Sequence, residues 1–248
     1  MDVKSIIRLY WDKRSQTYGK NTYRSPDEAQ HLWKGILKNA ICTDERLRIL
    51  DVGIGTGFLA LLFSEMGHNV TGIDISKCML SKTRCNADKM GLNVDLIHAD
   101  AENLPVKDEY FDIVINRHLL WTIPNPGTAV NEWSRTVRTG GKIILIDGKW
   151  HDYAIDMRLR RFISKMLVFM TEKRDPRLFT SHYDSIKDRL QFFYGSTPDN
   201  VIDLFSKAGL KNISMNNLEE LEKFETKNRP LAYRIANKPS LYLAIGEK

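Results

Sequence analysis

The chain has 248 residues and a mass of 28.7 kDa, with 42% hydrophobic and 27% charged side chains, 15 Gly, 8 Pro and a formal net charge of +6. That length suits one large domain or two small ones, and the composition excludes collagen-like, disordered and disulfide-framework classes. The longest apolar run is the six residues from Phe58 to Phe63, against the ~20 a membrane span needs, and the N-terminus carries no apolar stretch of signal-peptide length.

In chain order, two helices are expected first, Val3 to about Tyr18 and Pro26 to about Asn39. The second has Ser25 as a cap, Pro26 at its first position and Asp27 and Glu28 in its first turn, where acidic groups complement the helix dipole. Strand-like and helix-like runs then alternate. The expected strands are Leu47–Val52, Asn69–Asp74, Val94–His98, Phe111–Asn116 and Lys142–Asp147. Between them lie helices over Thr56–Met66, from Ser76 as cap to Met90 with Gly91 closing it, and near 126–138. Such alternation implies βαβ units and a doubly wound α/β fold with a mostly parallel sheet.

Residues 149–197 interrupt the pattern. Over 154–170, Ile155, Leu159, Phe162, Met166 and Phe169 share one helical face, and Arg158, Arg161 and Lys165 line another. A capped helix follows from Thr197-Pro198 to Ala208, then strand-like runs at Lys211–Met215 and Ser240–Ile245. The expected organisation is one domain: a helical cap (1–45), a core (46–148), a helical lid inserted after the fifth strand (149–197) and a C-terminal helix with two strands (198–248).

Cys42, Cys78 and Cys85 are an odd number and form no C-x-x-C pair, so reduced thiols in a cytoplasmic protein are expected, each as a small buried apolar residue. Charge is uneven. Residues 1–48 balance at +4, 49–148 at −3, 149–191 at +4 and 192–248 at +1. Excess positive charge therefore flanks a mildly acidic middle, which bears on partners and not on fold.

The strongest signal is Ile49-Leu50-Asp51-Val52-Gly53-Ile54-Gly55-Thr56-Gly57, a strand ending in a glycine-rich turn that opens a helix. A dinucleotide fingerprint would place its third glycine at position 58, which is Phe58, and Asp51 would repel a pyrophosphate. This hydrophobic-Asp-x-G-x-G-T-G spacing resembles the first motif of the class I S-adenosylmethionine-dependent methyltransferases. The resemblance continues through Val70–Ser76, His98–Pro105, Phe111–His118 and Gly140–Ile144, in the family's order. Within the superfamily it is nearest to the ubiquinone/menaquinone-methyltransferase-like small-molecule group, whose N-terminal helix resembles Tyr10–Tyr18.

The resemblance implies a Rossmann-like seven-stranded sheet with the last strand antiparallel, and S-adenosylmethionine as cofactor. It assigns cofactor binding to Asp51, Gly53, Gly55 and Gly57. Asp74 goes to the ribose hydroxyls, Asp100 to the adenine amino group, and Ile75 and Ala101 lie beside the adenine. Asn116 and Arg117 would face the methionine portion, while Tyr10, Arg14 and Tyr18 of the cap would wall the cofactor and hold its carboxylate. After the fourth strand, where this fold opens toward the transferred methyl, His118 is the catalytic candidate. Trp121, Trp11, His151, Arg158, Arg161 and His182 are candidates for the acceptor. His31, His68 and His98 are expected to be structural.

No Asn-Pro-Pro-Tyr or Asp-Pro-Pro-Tyr follows the fourth strand, which argues against adenine- or glutamine-type amino methylation. No metal-ligand spacing is present, and methyl transfer from a sulfonium needs none. The expected activity is methyl transfer to a small soluble acceptor. Positive charge in the cap and lid favours an anionic one, guided by some of Arg158, Arg161, Lys165, Arg174 and Arg177, though the same side chains also read as a solvated face. The alternatives are an RNA methyltransferase, which pI 9.1 invites, and a regulatory protein that binds the cofactor without transfer. Oligomeric state is left open.

Overall fold

Seven strands pair into one sheet: β1 (Arg48–Val52), β2 (Asn69–Asp74), β3 (Asp95–His98), β4 (Phe111–Arg117), β5 (Val137–Gly148), β6 (Lys211–Asn217) and β7 (Leu241–Glu247). The order is β3-β2-β1-β4-β5-β7-β6, with β1 to β5 parallel and β7 antiparallel to both neighbours. The structure is a computed structural model that describes residues 1–18, 26–148, 177–228 and 240–248, with 163, 164, 166, 167, 169 and 170. Expectations for Ser25, His151, Ile155, Arg158, Leu159, Arg161, Phe162, Lys165 and Arg174, and for the side chain of Arg177, lie outside the described residues.

The central strands are unbroken apolar runs because helices cover both faces. Ile49, Ile115 and Ile146 point to one face, under α2 (Pro26–Ile41) with Trp33 and Leu37 and α3 (Phe58–Glu65) with Phe63. Leu50, Val114 and Leu145 point to the other, under α5 (Pro126–Thr136) with Trp133 and a later helix, Pro198–Lys207, with Phe205. The remaining helices are α1 (Val3–Arg14), α4 (Lys77–Met90), α6 (Arg177–Tyr183), α7 (that Pro198–Lys207 segment) and α8 (Glu219–Asn228). Ser76 caps α4 through Met79 N, and Gly91 ends it in a left-handed conformation, as expected. Thr197 and Asn200 form a reciprocal capping box on α7.

Several expectations need correction. β5 begins at Val137 and not at Lys142. Its register against β4 jumps between Phe111 and Ile113, and Gly140 (φ 73) sits in that bulge, so the glycine pair lies inside the strand. α1 ends at Arg14, and residues 15–18 continue as turns closed by Tyr18 N donating to Arg14 O at 2.8 Å. Helix α8 carries no clear apolar periodicity and was not foreseen; Leu221 on it is fully buried. The three cysteines are exposed, not buried. Cys42 follows the end of α2 with φ 56, and Cys78 and Cys85, seven apart, share the outer face of α4.

Candidate functional site

The turn after β1 is tied to β2. Gly53 N and Ile54 N both donate to Ile73 O, at 2.8 and 2.9 Å, and Gly55 N donates to Asp74 Oδ2 at 2.9 Å. Ser76 N donates to the other oxygen, Asp74 Oδ1, at 2.8 Å. Thr83 of α4 fixes the turn from behind by donating to Gly55 O at 2.7 Å. The carboxyl ends of β1, β2 and β4 thus form one wall of a cleft of about 960 Å³, counted with its open mouth. Parallel sheets place ligands at such ends.

Two carboxyl groups are sunk in this wall. Burial pushes Asp51 up to about 7, against the opposing Arg117 guanidinium and with the charge of Asp74 adding to the rise. Burial likewise pushes Asp74 up to about 6, against the amide bonds from Ser76 and Gly55. Arg117 lies over Phe58, 4.2 Å from the ring centroid, and 5.2 Å from that of Trp33. Among the described residues the lining holds carboxylates at Asp51, Asp74, Asp100 and Glu102 against cations at Lys4 and Arg117. The arrangement suits a ligand that carries positive charge and hydroxyl groups.

Helix α1 forms the opposite wall with Lys4, Ile7 and Trp11, and Tyr18 extends it. Three hydrogen bonds hold it there. Lys4 Nζ reaches Asp100 Oδ2 at 2.5 Å and Glu102 Oε2 at 2.8 Å, and Ser76 Oγ donates to Asp12 Oδ1 at 2.6 Å. Burial works against the Lys4 ammonium, but the bonds to Asp100 and Glu102 outweigh it and raise its pKa. Behind α1, Tyr10 packs edge-on against Phe179 and Tyr183, Trp121 lies tilted against Phe179, Tyr183 and Phe193, and Trp11 packs edge-on against both Tyr10 and Trp121. Tyr183 sets the depth of this cluster, its hydroxyl 2.7 Å from Thr122 Oγ1, and burial pushes that hydroxyl's pKa up.

Of the expected site residues, Asp51, Gly53, Gly55, Asp74, Ile75, Asp100, Ala101, Arg117, His118, Trp11 and Tyr18 meet at the cleft. Six do not line it. Gly57 faces Thr83, where a Cβ would come within 2.8 Å of Cγ2. Arg14 lies over the Tyr18 ring and donates to Thr17 Oγ1. Tyr10 and Trp121 belong to the aromatic cluster, and His182 joins it through Tyr10 while donating from Nδ1 to Leu178 O at 2.9 Å. Asn116 is fully buried beside the cleft.

Lys4, Ile54, Phe58, Met79, Glu102, Leu119 and Thr122 line it without having been anticipated. Glu102 had the clearest signal, an acid two residues after Asp100 in the same motif. It also accepts from Asn125 N and Nδ2, at 2.9 and 3.0 Å, and so joins α1 to the start of α5. His98, expected to be structural, donates from Nε2 to Ile75 O at 3.0 Å and steadies the turn after β2.

A profile of the family described as "Methyltransferase domain" matches residues 50–145, the span from β1 into β5 that builds this cleft. The chain is 33% identical over 120 residues to a ubiquinone biosynthesis O-methyltransferase of Maricaulis maris, covering 44% of this chain and 47% of that protein. It is 31% identical over 144 residues to a demethylmenaquinone methyltransferase of Clavibacter sepedonicus, covering 57% of each. The chain thus spans about half the length of the curated relatives it matches. Among solved structures it is similar to a Haemonchus contortus phosphoethanolamine N-methyltransferase in complex with phosphomonomethylethanolamine and S-adenosylhomocysteine. That likeness has a TM-score of 0.64 at 16% identity, over 98% of this chain and 60% of that one, and concerns the fold alone. Over residues 50–145, which carry the glycine turn and the carboxyl ends of β1, β2 and β4, the chain is similar to that methyltransferase-domain family.

Proposed function

We propose that the protein transfers a methyl group from S-adenosylmethionine to a small acceptor. The observation that carries this reading is the pair of buried carboxyl groups, Asp51 and Asp74, facing a cleft roofed by α1. The residues fit the cofactor. Each oxygen of Asp74 accepts one amide bond, and a carboxylate oxygen accepts two, so a lone pair remains on each for the ribose hydroxyls. Asp100 is similarly engaged by Lys4 and by Glu102 N, with capacity left for an adenine amino group. Asp51 beside Arg117 suits the ammonium and carboxylate of the methionine portion. Ile75 and Ala101 flank the adenine place, and Trp11 and Tyr18 close it from the cap.

Bound there, S-adenosylmethionine supplies an electrophilic methyl group whose leaving group is a neutral thioether. The chain's own part is to align the acceptor, exclude water and take its proton. His118 lines the cleft beyond β4, which supports it as the residue that takes the proton. The acceptor enters beside Trp11, under the cap formed by α1. The positive balance of 149–191 supports an acceptor with a carboxylate or phosphate, and His151, Arg158 and Arg161 belong to that segment. The relative named as a ubiquinone biosynthesis O-methyltransferase supports a protic oxygen as the acceptor atom.

Methylation with labelled cofactor, offered a metabolite extract and total RNA in separate reactions, tests the proposal. Label in a small molecule supports it. Label in RNA alone, or cofactor binding with no transfer to either, overturns it.

A further inference from the structure

At the carboxyl end of β5, next to the cleft, lies a carboxylate that the sequence did not single out. Asp147 is fully buried. Its Oδ1 accepts only the following amide, Gly148 N at 2.8 Å, and its Oδ2 has no hydrogen-bond partner among the described residues. Buried charges are ordinarily paired, so a carboxylate left this bare needs a reason. Nearby, Tyr242 pairs with Asp147 across β5 and β7, but its hydroxyl turns to Ser196 Oγ at 2.5 Å. Burial first, and the charge of Asp147 second, push the pKa of that hydroxyl up.

A second group, His118, faces this carboxylate. Its Nδ1 lies 3.8 Å from Asp147 Oδ1, with the histidine partly exposed at the cleft and the aspartate sealed beneath it. The backbone has been bent to bring this about. His118 has φ 55, a left-handed conformation that a residue with a Cβ seldom adopts and that clusters at functional sites. Its own N–H stays on the sheet, donating to Ile146 O at 2.9 Å. The residue directly after β4 thus keeps its amide on β5 while its ring lies beside the end of that strand. A separation of 3.8 Å is an ion-pair distance, longer than a hydrogen bond, and such pairs tighten when substrate closes the site.

We propose that Asp147 is the positioning residue for His118 as the acceptor's base, an inference that rests on the methyl-transfer reading above. Asp147 holds the proton of neutral His118 on Nδ1, so that Nε2 is the ring nitrogen that carries the lone pair. In the transfer, the O–H or N–H bond of the acceptor breaks and its proton goes to Nε2. The electron pair left on oxygen or nitrogen forms the bond to the methyl carbon, and the pair of the broken carbon–sulfur bond stays on sulfur. The imidazolium so formed is balanced by the Asp147 carboxylate until its proton leaves to water. The acceptor class follows: a protic oxygen or nitrogen that must lose its proton, not a pre-ionised thiolate.

The test is Asp147→Asn, which keeps the shape and the bond to Gly148 N. The ¹⁵N and ¹H signals of the His118 ring are assigned in both proteins without acceptor, using His118→Gln to identify them. The expected result is an Nδ1–H ring in the native protein and an Nε2–H ring in the variant. Cofactor affinity, read by calorimetry, should stay within about twofold, while kcat on the acceptor falls by about 10²–10⁴ and KM changes little. An Nε2–H ring in the native protein, or a kcat for Asp147→Asn within threefold of native, overturns the inference. The ring measurement needs no turnover. Failure of methyl transfer itself would thus appear in the labelled-cofactor assay while the tautomer still decides the pair.

Discussion

Lys4 of α1 donates to the Asp100 carboxylate across the mouth of the cleft, at 2.5 Å, so the N-terminal helix is fastened to the very residue assigned to the adenine. A second bond to Glu102 at 2.8 Å makes the ammonium a clasp between cap and core.

Lys4→Met should therefore loosen the cap without unfolding the core. The Lys4 side chain is 35% exposed, so solvent screens part of the interaction. The expected effect on cofactor affinity is about three- to tenfold, mainly through faster release, with a weaker salt dependence than native. Stopped-flow displacement of bound S-adenosylhomocysteine at two salt concentrations reads both. An unchanged release rate would show that the clasp does not hold the cap shut.

Asp74→Asn should weaken cofactor binding by about 1.5–3 kcal/mol, the scale of losing charge-assisted hydrogen bonds. Asparagine keeps one oxygen for Gly55 N or Ser76 N, so the loss of melting temperature should be small. Calorimetry with S-adenosylmethionine checks the first expectation and thermal unfolding the second.

The raised pKa values of Asp51 and Asp74 give a pH dependence with a definite sign. Each folded value, about 7 and about 6, lies above the ordinary 3.8, so the cofactor-free fold holds these protons more tightly than the unfolded chain does. Their contribution to stability is complete below about pH 3.8 and is lost as pH rises through about 6 to about 7. Binding a cationic ligand favours the ionised carboxylates. Affinity for S-adenosylmethionine should then rise with pH across this window, with protons released on binding. Calorimetric titration at pH 5.5 and pH 8, in two buffers of different ionisation enthalpy, measures both. Asp51→Asn should raise the melting temperature of the free protein at pH 8 while weakening the cofactor, the trade expected where function demands a buried charge.

Two glycine substitutions should separate fold from site. In β2, a Cβ on Gly72 would lie 2.0 Å from Ile54 Cδ1, so Gly72→Ala should cost about 1–3 kcal/mol of stability through overpacking. At Gly55 a Cβ meets nothing nearer than 3.9 Å, though φ is +57. Gly55→Ala should therefore cost only about 1 kcal/mol of backbone strain, yet place a methyl group where the cofactor must approach. Urea unfolding and cofactor titration of both variants give the comparison. Equal effects on stability would contradict it.

The core was legible because its signals are local and repeat in order. The strand limits of β2 were read from residues that alternate between turn chemistry and apolar runs, and Asp51, Gly55, Asp74 and Asp100 stand where motif order put them. Contacts made across long stretches of chain were not legible. Nothing local marks Lys4 as a partner of Asp100, 96 residues away, and nothing in Ile146-Asp147-Gly148 tells a buried strand-end acid from a solvated one. Arg14, Tyr10 and Trp121 looked suited to a ligand because they are aromatic or cationic at helical spacing. Their rings and charge are instead engaged by Tyr183, Tyr18 and one another's neighbours. The start of β5 was missed because a glycine pair reads as a boundary when it is in fact a bulge.

The place of β7 has a consequence for how the chain is made. Lys142 of β5 pairs with Glu247, so the interior flank of β5 waits for a strand synthesised far later. At about 5–20 residues per second, the ribosome needs roughly 5–20 s to bring that strand out. During that interval Ile143, Ile144, Leu145 and Ile146, all fully buried in the finished sheet, offer an open edge of apolar strand. Closing so long a loop is also slow by its entropy alone. Nascent chains that carry residues 1–148 but not 241–247 should hence be the species that chaperones hold and that aggregates recruit.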